Sequence, residues 1–455
     1  MNNIQNIEDK KVLVVGLGRS GVAAIEVLNK LGARVYAQDS KERELHEEQL
    51  VLWLEGLGIP CYFDCIPDDM NEFDMLVLSP GVNPELDFIQ DAKAKGAEIV
   101  GELEIAYRIS RGTFIGITGT NGKTTTTTLV GEIFKEAKKK TEVVGNIGVA
   151  VISSSVESDV DTYMVTECSS FQLETTKYFK PHVSAILNLT PDHLNRHHSF
   201  ENYGLAKAKI FANENENDYL ILNYDDKNCF ALGENAKAKI VPFSRKEKLE
   251  YGAFLEGDDL VLINDQGEKL QICHREDIKI IGNHNLENVL AAAAISYFAG
   301  IDMDSIRRAI SKFKGVEHRI EYSGEVEGVQ YYNDSKGTNV DAAVTAINAM
   351  EKPIILLAGG DGKSQDFKPF VEAFGDKVKA LVTLGRDGHF IAEEAMKNGY
   401  TNIHQCKDLV EAVKCAHQLA SAGDVVLFSP ACASWDMYDN FEQRGRHFKD
   451  LVSHL

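Results

Sequence analysis

A repeated local unit constrains this chain most. A continuous apolar, β-branched run ends in glycine or an acidic residue, and helical spacing follows. The runs cover 11–15, 73–78, 114–117, 163–166, 185–189, 219–222, 354–358, 380–384 and 425–428. Strands without polar alternation are buried on both faces, and strands that alternate with helices pair in parallel. The pattern predicts an α/β chain whose mostly parallel sheets are covered by helices. In such sheets ligands bind beyond the carboxyl ends of the strands, so the residues just after each run are where function is expected. The stretch 241–272 differs: short alternating runs flank the turn signal Asn264-Asp265-Gln266-Gly267, which predicts antiparallel strands.

Breaks near Gly101 and Gly315 divide the 455 residues into segments 1–101, 102–315 and 316–455, all plausible domain sizes. The net charge of −21, from 48 basic and 69 acidic residues, argues against nucleic-acid binding, which needs a basic surface. The longest apolar stretch, around 289–299, is too short to cross a bilayer. The first ten residues are polar, with no apolar core of a secretory signal. Eight scattered cysteines, of which only Cys61 and Cys65 are close, read as free thiols in a reducing cytoplasm and not as a zinc site. Nothing suggests a coiled coil or a dimer patch, so a cytoplasmic monomer is expected.

Three glycine-rich loops at strand ends carry most of the chemistry. In the first segment, Gly16-Leu17-Gly18-Arg19-Ser20-Gly21 follows a strand and opens a helix, and Asp39 ends the next run. Glycines let a backbone approach a pyrophosphate, and the carboxylate suits a ribose hydroxyl. The same glycines also serve a tight turn without a ligand. NAD, another diphosphate nucleotide, or neither fits this pattern. Ser79-Pro80-Gly81 sits at a further strand end and is a candidate to line the same crevice.

The second is the most informative. Gly116-Ile117-Thr118-Gly119-Thr120-Asn121-Gly122-Lys123-Thr124 joins a strand to a helix. Backbone N–H groups of such a loop cradle phosphates, the lysine neutralises charge, and a threonine hydroxyl ligates Mg²⁺. Its G-x-x-G-K-T spacing is a shortened variant of the usual phosphate loop. The run of five threonines from Thr124 is a poor helix start on propensity alone, which supports a ligand role. Glu167 at another strand end suits Mg²⁺ with Thr124. His193 and His197 lie four apart but lack the H-E-x-x-H pattern, so zinc is not expected.

The third strand end, Gly359-Gly360-Asp361-Gly362-Lys363-Ser364, repeats the phosphate-loop spacing. Asp361 would repel a triphosphate, so ATP is assigned to Lys123, and Lys363 reads as a cation for a substrate carboxylate.

These residues resemble the Mur ligases, ATP-dependent amide-forming enzymes of peptidoglycan synthesis. The resemblance rests on the loop at 116–125, Glu167-Cys168-Ser169-Ser170-Phe171-Gln172-Leu173-Glu174, Asp192-His193 and Gly282-Asn283-His284-Asn285-Leu286-Glu287-Asn288. It spans nearly the whole chain. Asn333-Asp334-Ser335-Lys336-Gly337-Thr338-Asn339, Ser429-Pro430-Ala431-Cys432-Ala433-Ser434 and Asn440-Phe441-Glu442-Gln443-Arg444-Gly445 are similar to the D-glutamate-adding branch. Asn195 stands where the family often has Asp, and Trp435 where it often has Leu.

The resemblance implies a Rossmann-like N-terminal domain for a UDP-linked substrate, a central P-loop ATPase-like domain, and a Rossmann-like C-terminal domain for the amino acid. It implies transfer of phosphate from ATP to the carboxylate of UDP-N-acetylmuramoyl-L-alanine, then attack by the amine of D-glutamate. Gly119, Thr120, Asn121, Gly122, Lys123, Thr124, Thr125, Asn285, Asn288, Arg319, Asp334 and Lys336 would bind ATP. Arg19, Ser20, Asp39, Ser40, Lys41, Gly81, Asn146 and His193 would bind the UDP substrate. Thr338, Lys363, Ser434, Trp435 and Phe441 would surround D-glutamate. Thr124, Glu167, His193 and a carbamylated Lys207 would hold two Mg²⁺ ions. Lys123, Glu167, His193 and Lys207 would be the catalytic set. Lys209, two positions further on, is expected to be an ordinary solvated lysine.

Overall fold

The computed structural model describes residues 7–362 and 365–455. They form two compact units. The first comprises the residues up to 277 together with 286–311; the second comprises 278–285 and 312–455.

The first unit holds two sheets. One is wholly parallel: β1 (Lys11–Val15), β2 (Arg34–Asp39), β3 (Cys61–Phe63), β4 (Met75–Leu78) and β5 (Glu98–Gly101), in the order β3-β2-β1-β4-β5. Val12 and Val14 face one core and Leu13 and Val15 another, as the two-residue period of a strand covered on both faces demands. The second sheet contains β6 (Thr113–Thr118), β7 (Lys140–Gly145), β8 (Thr162–Glu167), β9 (Val183–Ile186), β10 (Tyr219–Asn223), β11 (Lys239–Ser244), β12 (Gly252–Glu256), β13 (Asp259–Ile263) and β14 (Lys269–His274). Its order is β14-β13-β12-β11-β10-β9-β6-β8-β7. Pairing is parallel from β7 to β12, and β12–β13–β14 are antiparallel, in the stretch whose pattern alternates. One core runs through both sheets, from Val12 and Ala24 to Phe114 and Ile186.

The second unit holds β15 (Glu321–Val326), β16 (Val329–Asn333), β17 (Ile354–Gly359), β18 (Val378–Leu384), β19 (Ile403–Gln405) and β20 (Val425–Phe428), in the order β15-β16-β20-β17-β18-β19. Among the described strands of this sheet, only β15 and β16 pair antiparallel. Ile354 and Leu356 pack on one face, Ile355 and Leu357 on the other. Among the described residues no helix is long and apolar enough to cross a membrane. All eight cysteines are free.

Candidate active site

The glycine turn after β1 opens a cavity of about 530 Å³. Arg19, Ser20, Asp39, Ser40, Lys41 and Gly81 all line it. Packing explains two of the three glycines. A Cβ on Gly21 would lie 1.9 Å from the Gly16 carbonyl, and Gly16 itself has a φ of 88°. Gly18 has neither constraint: its φ is −74° and nothing lies within 4 Å of its would-be Cβ. An unneeded glycine on an open cavity is what close approach of a ligand calls for. Asp39 ties the turn to the end of β2. Its Oδ2 accepts the Leu17 N–H at 2.7 Å and its Oδ1 the Lys41 N–H at 3.0 Å. The carboxylate thus sets the shape of the turn, a role its sequence position does not reveal. Asn146 and His193 are not part of this lining.

The second strand-end loop lies after β6. Gly119 (φ 152°) and Gly122 (φ 81°) shape it, and Gly122 caps the helix Lys123–Glu136 without any side-chain cap. The N-terminus of that helix presents backbone N–H groups and a partial positive charge. A Cβ on Gly122 would lie 2.3 Å from Asn288 Oδ1, so Asn288 packs directly beneath the loop. Asn188 holds the loop from the β9 side: its Oδ1 accepts the N–H groups of Thr120 and Asn121 at 3.1 and 2.8 Å. The apolar run 185–189 conceals Asn188 in the sequence. The strand ends at Ile186, so Asn188 belongs to the strand-end loop.

Two ammonium groups converge on this loop. Lys123 Nζ donates to the carbonyls of Gly119 and Thr120 at 2.9 and 2.7 Å. Lys207 Nζ donates to the same Gly119 carbonyl at 2.7 Å and sits 4.5 Å from the centre of the Tyr203 ring. Lys207 is only 1 % exposed. Burial, and then the charge of Lys123, hold its pKa well below the ordinary lysine value. Lys209 is not solvated as expected. It is partly buried, with Nζ donating to the Glu174 carbonyl at 2.6 Å.

Glu167, at the end of β8, is 1 % exposed. Asn146 donates its Nδ2 hydrogen to Glu167 Oε1 at 2.8 Å, while Oε2 is buried with no hydrogen-bond partner. A buried carboxylate oxygen left unpaired is costly unless a cation meets it. Carboxylate and hydroxyl oxygens, from Glu167 and Thr124, are the donors that Mg²⁺ prefers. These residues fit a magnesium site. His193 adopts a left-handed backbone (φ 52°), with its ring 4.8 Å from Phe171. His197 is engaged elsewhere: its Nε2 is 3.0 Å from Ser170 Oγ, and its ring lies among Phe171 and Tyr203.

In the second unit, Asp334 is buried, accepting from Ser429 Oγ at 2.7 Å and from the Ile320 N–H at 3.2 Å. Burial pushes its pKa up to about 6. Lys336 Nζ lies 5.7 Å from the centre of the Phe441 ring. Buried Arg444 ties the loops together through Ser335 Oγ, Ser335 O and Cys432 O, at 3.0, 2.8 and 3.1 Å. Ser434 is buried, Thr338 and Arg319 are half-buried, and Trp435 is 66 % exposed. Asn285, in the first turn of the helix Asn283–Phe298, donates to the Ile281 carbonyl at 2.7 Å. Asp361 forms an ion pair with Arg386. Lys363 lies outside the described residues.

Three family descriptions tile the chain: the MurD-like N-terminal domain matches residues 10–101, the Mur ligase middle domain 117–296, and the Mur ligase glutamate ligase domain 318–432. The chain belongs to the Mur ligase family, ATP-dependent ligases of peptidoglycan precursor synthesis with a three-domain α/β fold. Within it, the chain is 48 % identical over 455 residues to the UDP-N-acetylmuramoylalanine–D-glutamate ligase of Alkaliphilus metalliredigens, covering 99 % of each. It is 46 % identical to the ligase of the same name from Clostridioides difficile, covering 99 % of this chain and 100 % of the relative. The fold also matches the UDP-N-acetylmuramate–alanine ligase of Thermotoga maritima, with a TM-score of 0.59, 21 % identity and coverage of 98 % and 99 %.

Proposed function

We propose that this chain joins D-glutamate to UDP-N-acetylmuramoyl-L-alanine, driven by ATP, as a cytoplasmic monomer. The observation that carries the substrate assignment is the near-half identity, end to end, with ligases bearing that name. ATP phosphorylates the alanyl carboxylate. The D-glutamate amine attacks the resulting acyl phosphate, and phosphate leaves. Such phosphoryl transfer needs positioning and charge neutralisation more than covalent help from the protein.

The loop at 119–125, Lys123 and Asn288 hold the triphosphate. Asn285, Arg319, Asp334 and Lys336 complete the ATP contacts. Mg²⁺, held by Thr124 and Glu167 with a second ion at His193 and Lys207, would neutralise phosphate charge. Lys207 adds CO₂ to its neutral amine and releases a proton, which turns a cation into a carbamate; deep burial favours the neutral amine this requires. Arg19 through its main chain, together with Ser20, Asp39, Ser40, Lys41 and Gly81, frames the uridine diphosphate, with Asn146 and His193 toward the sugar-peptide end. Thr338, Lys363, Ser434, Trp435 and Phe441 surround D-glutamate. The domains for these three ligands run over 1–101, 102–315 and 316–455.

The test is product mass. The purified chain receives ATP, Mg²⁺ and UDP-N-acetylmuramoyl-L-alanine, with D-glutamate, L-lysine, L-alanine or meso-diaminopimelate offered singly. A product larger by one glutamyl residue with D-glutamate alone is expected. The same conversion with another amino acid reassigns the acceptor.

A further inference from the structure

We infer that Arg19 is a positioning residue that ties the first nucleotide pocket to the Glu167 carboxylate. The inference rests on the reading above, in which these are the uridine-nucleotide and ATP sites. Its place in the glycine turn makes Arg19 look like a phosphate contact, and its main chain does open the helix Arg19–Lys30 beside the cavity. Its guanidinium is engaged elsewhere. Nη1 donates to the Gly148 carbonyl at 2.9 Å, and Nη2 donates to the carbonyls of Asn146 and Gly145 at 3.3 and 3.4 Å.

Three carbonyls converge there because the chain turns sharply at Gly145 (φ 112°) and Gly148 (φ 65°). A Cβ on Gly145 would sit 2.2 Å from the Glu167 carbonyl, so this turn is pressed against the end of β8. The turn carries Asn146, which holds Glu167 twice. Its backbone N–H donates to Glu167 O at 3.0 Å, and its Nδ2 to Glu167 Oε1 at 2.8 Å. With Oε1 taken, Oε2 remains buried and unpartnered, the oxygen a cation would meet.

A second anchor grips the same segment just past the turn. Glu102 Oε1 accepts the Ile152 N–H at 2.6 Å; burial pushes the Glu102 pKa up to about 7, and the Ile152 N–H and then the Arg19 charge oppose that rise. Residues 145–152 are therefore held at their carbonyls by Arg19 and at an N–H by Glu102. A planar guanidinium can serve several carbonyls at once, which an ammonium cannot do in the same geometry. Arg19 thus sets which oxygen of Glu167 is free, without touching the reacting groups.

The experiment compares the full chain with Arg19→Met and Arg19→Lys by calorimetric titration of UDP, amide exchange of the metal-free protein, and rate at saturating substrates. Arg19→Met is expected to speed exchange across 145–152 by about tenfold, because its opening loses three hydrogen bonds. It should lower kcat by about tenfold and leave the UDP Kd within about threefold. Arg19→Lys should fall between. A merely structural loss would cut the active fraction without this split between kcat and nucleotide affinity. Unchanged exchange at 145–152 overturns the inference, and so does an unchanged kcat. A UDP Kd raised by more than about tenfold also overturns it, since that marks a phosphate ligand. If Arg19→Met does not fold, Arg19→Lys decides on the same readouts. Failure of the underlying reading would look different: the unmodified chain would bind no UDP.

Discussion

The two glycine turns of the first unit share a strand–loop–helix plan and differ in charge. After β1, the turn is shaped by an anion from within, since Asp39 already takes the N–H groups of Leu17 and Lys41. After β6, the turn is held by a neutral amide, Asn188, and two lysines crowd one carbonyl. One turn has its own carboxylate and an open glycine at its centre. The other concentrates positive charge and leaves a buried carboxylate oxygen of Glu167 without a partner. Glycine spacing thus marks where a nucleotide approaches, while the side chains arriving from other strands decide which nucleotide and what happens to it.

The largest effect is expected at Lys207. Lys207→Ala should lower kcat by at least ~10³-fold if its modified side chain is part of the metal site, with UDP binding unchanged by calorimetry. A fully active variant removes Lys207 from the chemistry. Next comes Lys123→Ala, for which a loss of about 10²-fold in kcat is expected, read from phosphate release at saturating substrate. Near-normal turnover would remove the triphosphate from this loop. Asp39→Ala leaves two N–H groups of the first turn without their acceptor. It should weaken UDP by about tenfold in a titration while ATP binding is unmoved. Lys209→Ala marks the low end. Loss of its bond to the Glu174 carbonyl should lower Tm by about 2 °C, with kcat kept within about twofold.

Much of this was readable from residues alone, and the exceptions follow a rule. The strands 11–15 and 425–428 are found where the apolar runs stand, because a strand buried on both faces has no polar interruption to blur its limits. The antiparallel strands within 241–272 likewise follow from alternation and a turn signal. The run at 185–189 misled because Leu187 and Leu189 are buried in a loop and not in a strand, which hid Asn188. Lys209 misled because helical spacing says which way a side chain leaves its own helix and nothing about a carbonyl arriving from residue 174. Arg19 and Asp39 show the same limit. Residue type and position marked them for a nucleotide, yet their partners lie 129 and 22 residues away along the chain. Side chains that act on distant backbone leave no local pattern to read.

The claim that the two turns take different nucleotides is tested most directly by one titration. UDP is titrated calorimetrically into the full chain, first alone and then with a saturating non-hydrolysable ATP analogue. One UDP site per chain is expected, with the same affinity in both titrations and no heat from NAD. Displacement of UDP by the ATP analogue, or NAD binding in place of UDP, would contradict it.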